Sequence, residues 1–282
     1  MRFTAVAVVA TSVLAVSAHE SQAFFAVPAL TQIRDILAQF EAPIVSTLVQ
    51  RFALPVKPQL YQGHNPPLQA YLGAREIDAI LHGRYNYGTL EYPFTFSTIA
   101  ADRATSQNTF PAGRFHQDSF VGNPNLMAFY IQTLVPSMNS STTPYFYHLS
   151  NSTQQTVPDP NREDGALSLD VTLLQLLSNR AHVGKIVAEA KFTGDPVTYT
   201  KLIKARNADS IRMLLANTTQ EASVLAQADT AAIQLSNAWI ASGALVPSTF
   251  QDTIRTVAMK TFRNLIDITT EIEVQYLLER LH

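Results

Sequence analysis

Apolar residues recur at helical spacing through most of the chain. Between residues 167 and 192, Leu169, Leu173, Leu176 and Leu177 form one stripe, which Val183, Ile186, Val187 and Ala190 continue. The stretch has no proline and a single glycine, Gly184, and so predicts one long central helix. Two cations, Arg180 and Lys191, stand beside the stripe. At about 100° per residue their separation returns to within about 20° of the same face, roughly 16 Å along the axis. Only the small residues Gly184 and Val187 lie between them on that face. The spacing therefore predicts a shallow gap flanked by two basic side chains, suited to a small dianion. The plainer alternative is a core helix with two snorkelling charges, and spacing alone favours it.

Residues 28–52 predict a helix with Leu30, Ile33, Leu37, Phe40, Ile44 and Leu48 on one face, kinked or split by Pro43. A proline-rich loop follows, then a helix over residues 68–82. Residues 85–124 keep no steady period and predict mostly loop. Residues 125–138 are helical up to Pro136. The polar run 139–164 predicts a long exposed loop, of a kind uncommon within compact domains. Asp195 with Pro196 and Asn207 mark the starts of two short helices. A helix runs over 217–241, and Ser248 with Gln251 forms a capping-box pattern ahead of a last helix reaching Leu281. No alternating stretch competes, so the fold class is all-α, a single multi-helix domain built round the long central helix.

Composition narrows the function. With 46% apolar and 15% charged residues, a sizeable core is available. The net charge of −2, without a basic run interleaved with aromatics, leaves no electrostatic footprint for nucleic acid. No nucleotide-binding glycine motif is present. The first 23 residues combine Arg2, an apolar run over 5–16 and small residues offering cleavage after Ala18 or Ala23. This pattern predicts a signal peptide and a secreted mature chain of 24–282, because the run is too short to span a membrane. Cysteine is absent, so no disulfide contributes to stability. Asn139, Asn151 and Asn217 begin N-glycosylation sequons.

The wording SNRAHVGKIVAEAKF, followed by YTKLIKARN, resembles the fungal all-helical, yeast-type chorismate mutases, as does the C-terminal ITTEIEVQYLLERL. The likeness is dense over 173–215 and 267–281, thinner over 30–51 and poor over 85–164. It implies conversion of chorismate to prephenate, a rearrangement within one molecule that requires no cofactor and no metal. Positioning and electrostatic stabilisation are the tasks of such a site. By this resemblance Arg180 and Arg34 bind the two carboxylates, and Lys191 donates to the ether oxygen. Glu273, protonated, is the second partner of that oxygen. Asn217 and Thr269 support carboxylate binding, and Glu221 accepts from the ring hydroxyl. Taken singly, most of these residues read as solvated charges or helix caps. The expectation gathers seven of them in one pocket.

Two departures from the resembled family carry expectations of their own. The adjacent arginines of its aromatic amino-acid site fall at Asn86 and Tyr87, and a Gly-Ser pair is replaced by Gly165-Ala166. Weak regulation by tryptophan or tyrosine is therefore expected. With secretion, the chain resembles the family's secreted members, which implies an effector of a plant-associated organism that draws host chorismate toward prephenate and away from salicylate-type defence compounds. A homodimer is implied by the family, and the 139–164 loop is a candidate surface for a host protein. The competing reading is a catalytically silent secreted binding protein on the same scaffold.

Overall fold

The computed structural model describes residues 27–52, 54, 56–82, 90–95, 115–139, 164–243, 246 and 248–281. The signal-peptide expectation, Asn86, Tyr87, Asn151 and nearly all of the 139–164 loop lie outside the described residues. Every regular element within them is helical, and none is a strand.

The first two helices are α1 (Leu30–Ala38) and α2 (Glu41–Phe52). The split falls at Gln39 and Phe40, which leaves Pro43 in the first turn of α2, where its missing N–H costs nothing. Next comes α3 (Pro67–Leu81). Then α4 (Asn123–Phe129) passes through a π-helical turn, Tyr130–Leu134, into α5 (Val135–Asn139). That turn explains why the helix continues past Pro136. The widened i→i+5 ladder just before the proline relieves the ring of its usual clash with the preceding turn.

The stretch expected to be one central helix is two. Helix α6 (Asp164–His182) and helix α7 (Gly184–Gly194) are separated by a turn at Val183. The Ile186 N–H bonds the Val183 carbonyl at 3.0 Å, a tightened i→i+3 link at that junction. Arg180 and Lys191 thus sit in the last turns of two different helices. The longest element is instead the C-terminal one, α11 (Phe250–Glu279). Between them lie α8 (Pro196–Lys204), α9 (Ala208–Leu215) and α10 (Thr218–Ala241). The caps of all three are the residues expected. Asp195, Asn207 and Asn217 accept hydrogen bonds from the N–H groups of Thr198, Ser210 and Gln220. The Ser248–Gln251 box does not form. Thr249 precedes α11 without a side-chain cap, and Gln251 Nε2 donates to Asn237 on α10.

Helix α11 is the shared wall. It packs along α10 and against α6 and α7, while α2 lies against α6 and α10, and α1 against α7. Two apolar cores form along it. The larger joins Leu48, Phe52, Leu72, Leu126, Leu173, Leu177, Phe262 and their neighbours. The smaller joins Ile33, Val183, Ala188, Ile203, Ile211, Leu215, Val274 and Leu277. Segment 115–122 crosses α11 so closely that a Cβ on Gly122 would come within 2.6 Å of Ile272. Its N–H donates to Nε2 of the buried His182, whose pKa burial lowers to about 3. The two cores meet beside α11, and an open seam is left between them.

Candidate active site

That seam is a cleft of about 300 Å³. Its walls come from α1, from the first residue of α2, from the ends of α6 and α9, from one face of α7, from the first turns of α10, and from the second half of α11. All seven residues expected to form a site line it: Arg34, Arg180, Lys191, Asn217, Glu221, Thr269 and Glu273. The chain is required to bring together residues more than two hundred positions apart, and it does so through helix packing alone.

Arg180 is only 3% exposed, yet its Nε has no hydrogen-bond partner. Its guanidinium lies 5.5 Å from the Phe262 ring centroid. Burial lowers its pKa to about 10, partly offset by the charge of Glu41, so it remains a cation at neutral pH. A buried, under-bonded cation is costly unless an anion completes it. Arg34 is carried into the cleft by the same α1 whose Ile33 is buried in the smaller core.

Lys191 and Glu273 face each other from α7 and α11. Lys191 Nζ donates to the Leu215 carbonyl at 2.5 Å and stands 3.6 Å from Glu273 Oε2. Glu273 is 6% exposed, and burial raises its pKa to about 7 despite the lysine. Its carboxyl is therefore substantially protonated near neutrality and can donate as well as accept. One turn earlier, Thr269 is buried, and its Oγ1 donates to the Leu265 carbonyl at 2.7 Å.

Asn217 and Glu221 form the N-terminal box of α10. Asn217 Oδ1 accepts from the Gln220 N–H, and Glu221 Oε1 accepts from the Asn217 N–H at 3.3 Å. Capping and lining the cleft are thus compatible, since the box uses Oδ1 and leaves the amide Nδ2 out. Asn217 is exposed, so burial does not shield its sequon.

Among the lining residues that the sequence reading did not single out are Glu41 and Gln227. Glu41 is 6% exposed, and burial raises its pKa to about 7 against the pull of Arg180. Gln227 on α10, with its amide nitrogen turned towards that carboxyl, donates to it at 2.7 Å. A glutamate in the first turn of a helix reads as a dipole partner. Only the packing of α2 on α6 and α10 turns it inward. The small residues between the cations also separate: Val187 lines the cleft, whereas Gly184 is buried against α11.

No protein-family model matches the chain. Curated relatives do. The chain is 26% identical over 265 residues to a chorismate mutase of Schizosaccharomyces pombe, covering 89% of this chain and 96% of that protein. It is 26% identical over 268 residues to one of Saccharomyces cerevisiae, covering 89% and 95%. A chorismate mutase of Trichoderma parareesei is 30% identical over 179 residues, 59% of each. Among solved structures, a Candida albicans chorismate mutase in complex with L-Trp matches with a TM-score of 0.66 at 24% identity, covering 93% of this chain and 96% of that one. The chloroplast chorismate mutase of Zea mays matches with a TM-score of 0.63 at 22% identity, covering 90% and 96%. The fold is that of the helical chorismate mutases. The two yeast relatives, matched over nearly their full length, support the yeast-type chorismate mutase family, and with it a chorismate mutase, an isomerase.

Proposed function

We propose that this cleft converts chorismate to prephenate. In that rearrangement one C–O bond breaks and one C–C bond forms within the same molecule, with no net proton transfer. Catalysis reduces to holding the folded conformer and stabilising charge on the ether oxygen. Arg34 and Arg180 each take a carboxylate, and Asn217 and Thr269 assist. Lys191 and protonated Glu273 converge on the ether oxygen, and Glu221 receives the ring hydroxyl. The observation that carries this reading is Arg180, a buried guanidinium with an unpartnered Nε lining the same cleft as Arg34 and Lys191. The test is loss of chorismate absorbance with purified mature protein. An inert wild-type protein would leave a silent binding protein as the better account.

The finer reading rests on sequence. The N-terminal pattern supports secretion, and secretion supports an effector role that lowers host salicylate precursors. The residues at 86 and 87 support weak control by aromatic amino acids, and the family supports a homodimer. The 139–164 segment is proposed as the contact for a host protein. Sequencing the N-terminus of protein from culture supernatant tests the first of these. Absence of the protein from the supernatant, or a chain there beginning before residue 19, would exclude it.

A further inference from the structure

Gly184 is assigned no role by the chemistry above, and it does not line the cleft. It is buried at the junction of α6 and α7. A Cβ there would come within 2.9 Å of Thr269 Cγ2, 3.2 Å of the Thr269 carbonyl oxygen and 3.2 Å of Glu273 Cγ. The first distance is shorter than real Cβ contacts allow, and the others are tighter than nearly all of them. Two of the three atoms cannot yield cheaply. The carbonyl belongs to the α11 backbone, and the Thr269 side chain is β-branched with its Oγ1 held by Leu265. The third atom carries the carboxyl of Glu273.

From this geometry we infer that Gly184 is a positioning residue for Glu273. Its missing side chain lets the α6–α7 junction rest directly on the turn of α11 that carries Thr269 and Glu273. One contact thereby sets the distance from both cation-bearing helix ends to the carboxyl. An added methyl pushes the junction off α11 or displaces Glu273 Cγ, and in either case the carboxyl leaves its place. Interaction geometry at a reacting centre tolerates little: displacements on the order of 1 Å cost about a hundredfold. The titratable groups facing Glu273 are Lys191 from α7 and Tyr199 from α8.

This inference rests on the proposed reaction for its kinetic consequence but not for its geometry, and the experiment separates the two. Gly184→Ala, Thr269→Ser and the double variant are compared with wild type in two readouts. The first is the Glu273 carboxyl titration followed by carbon NMR without substrate. The second is the pH profile of kcat with chorismate. Thr269→Ser keeps the hydroxyl and deletes the methyl nearest to Gly184. Gly184→Ala is expected to lower kcat at least tenfold with a smaller change in KM. It should also move the Glu273 titration downward as the α7–α11 contact opens to water. In the Thr269→Ser background the same substitution should cost several-fold less. If Gly184→Ala alone does not fold, the double variant still reports, because relief of the methyl contact should restore both folding and a Glu273 titration near that of Thr269→Ser. A folded Gly184→Ala protein with an unmoved Glu273 titration, or an equal cost in both backgrounds, overturns the positioning role. An inert wild type with a shifted titration in Gly184→Ala would remove the proposed reaction and leave the positioning intact.

Discussion

At the scale of single residues, two side chains govern the cleft through their surroundings. Arg180 gives up hydration when it is buried and recovers little from the protein, so a bound carboxylate is its natural complement. Arg180→Ala should cut kcat/KM by the equivalent of about 2–5 kcal/mol, the usual loss when one partner of a buried charge pair is removed. Steady-state kinetics on folded protein checks this. Glu273 carries the pH dependence. Its pKa is raised to about 7 by burial, and donation requires the protonated form. Activity should fall as pH rises through about 7, and Glu273→Gln, which always donates, should flatten that profile. A folded Gln variant inactive at every pH would contradict the role. The same shift has a signed effect on stability. A carboxyl with a raised folded pKa favours the folded state below its ordinary value near 4.5 and loses that advantage as pH climbs to about 7. Glu273→Gln should therefore raise the wild-type Tm more at pH 8 than at pH 5.

At the scale of helices, structure and chemistry share residues. Asn217 starts α10 and lines the cleft, and one substitution separates the two tasks. Asn217→Asp keeps an oxygen for the Gln220 N–H, and aspartate caps about as well as asparagine. The amide donor is replaced by a second anionic oxygen beside an anionic ligand. The expected outcome is a Tm close to wild type with a raised KM. The join of α2 to α6 depends on another buried set. Arg51 pairs with Asp170, and Tyr61 and Tyr130 donate to the same carboxylate. Both charged residues have no exposure, and burial pushes the two phenols well up. Asp170→Asn leaves a buried guanidinium without its counter-charge and should cost about 3–5 kcal/mol in denaturant unfolding. That pair lies on the core side of α6 and not in the cleft, so the loss should appear in stability first.

At the scale of the whole molecule, the cleft exists because two cores share one long helix without merging. Movement of one core against the other would alter the cleft, so control by a second ligand is physically available to this architecture. The expectation is nonetheless a weak response. By the sequence resemblance alone, Asn86 and Tyr87 fall at the places of two arginines expected to hold an effector carboxylate. Titration of wild-type activity with tryptophan and with tyrosine should give flat curves. Strong activation or inhibition by either would refute the argument.

What could be read in the chain without a fold was whatever depends on near neighbours. Helical period, the caps Asp195, Asn207 and Asn217, and the break between α1 and α2 follow from local sterics and hydrogen bonding, and each was legible. The seven lining residues were legible for a different reason, as wording shared with a family. What remained hidden depends on contacts between distant segments. The turn at Val183, Gly184 turned onto α11 instead of into the gap, and the length of α11 as the common wall are of this kind. Burial of Glu41 and Asp170 is too, since a carboxylate on a helix looks solvated until its neighbours surround it. Desolvation, which raises Glu41 and Glu273 and leaves Arg180 wanting an anion, is a property of packed volume, and only the assembled helices supply it.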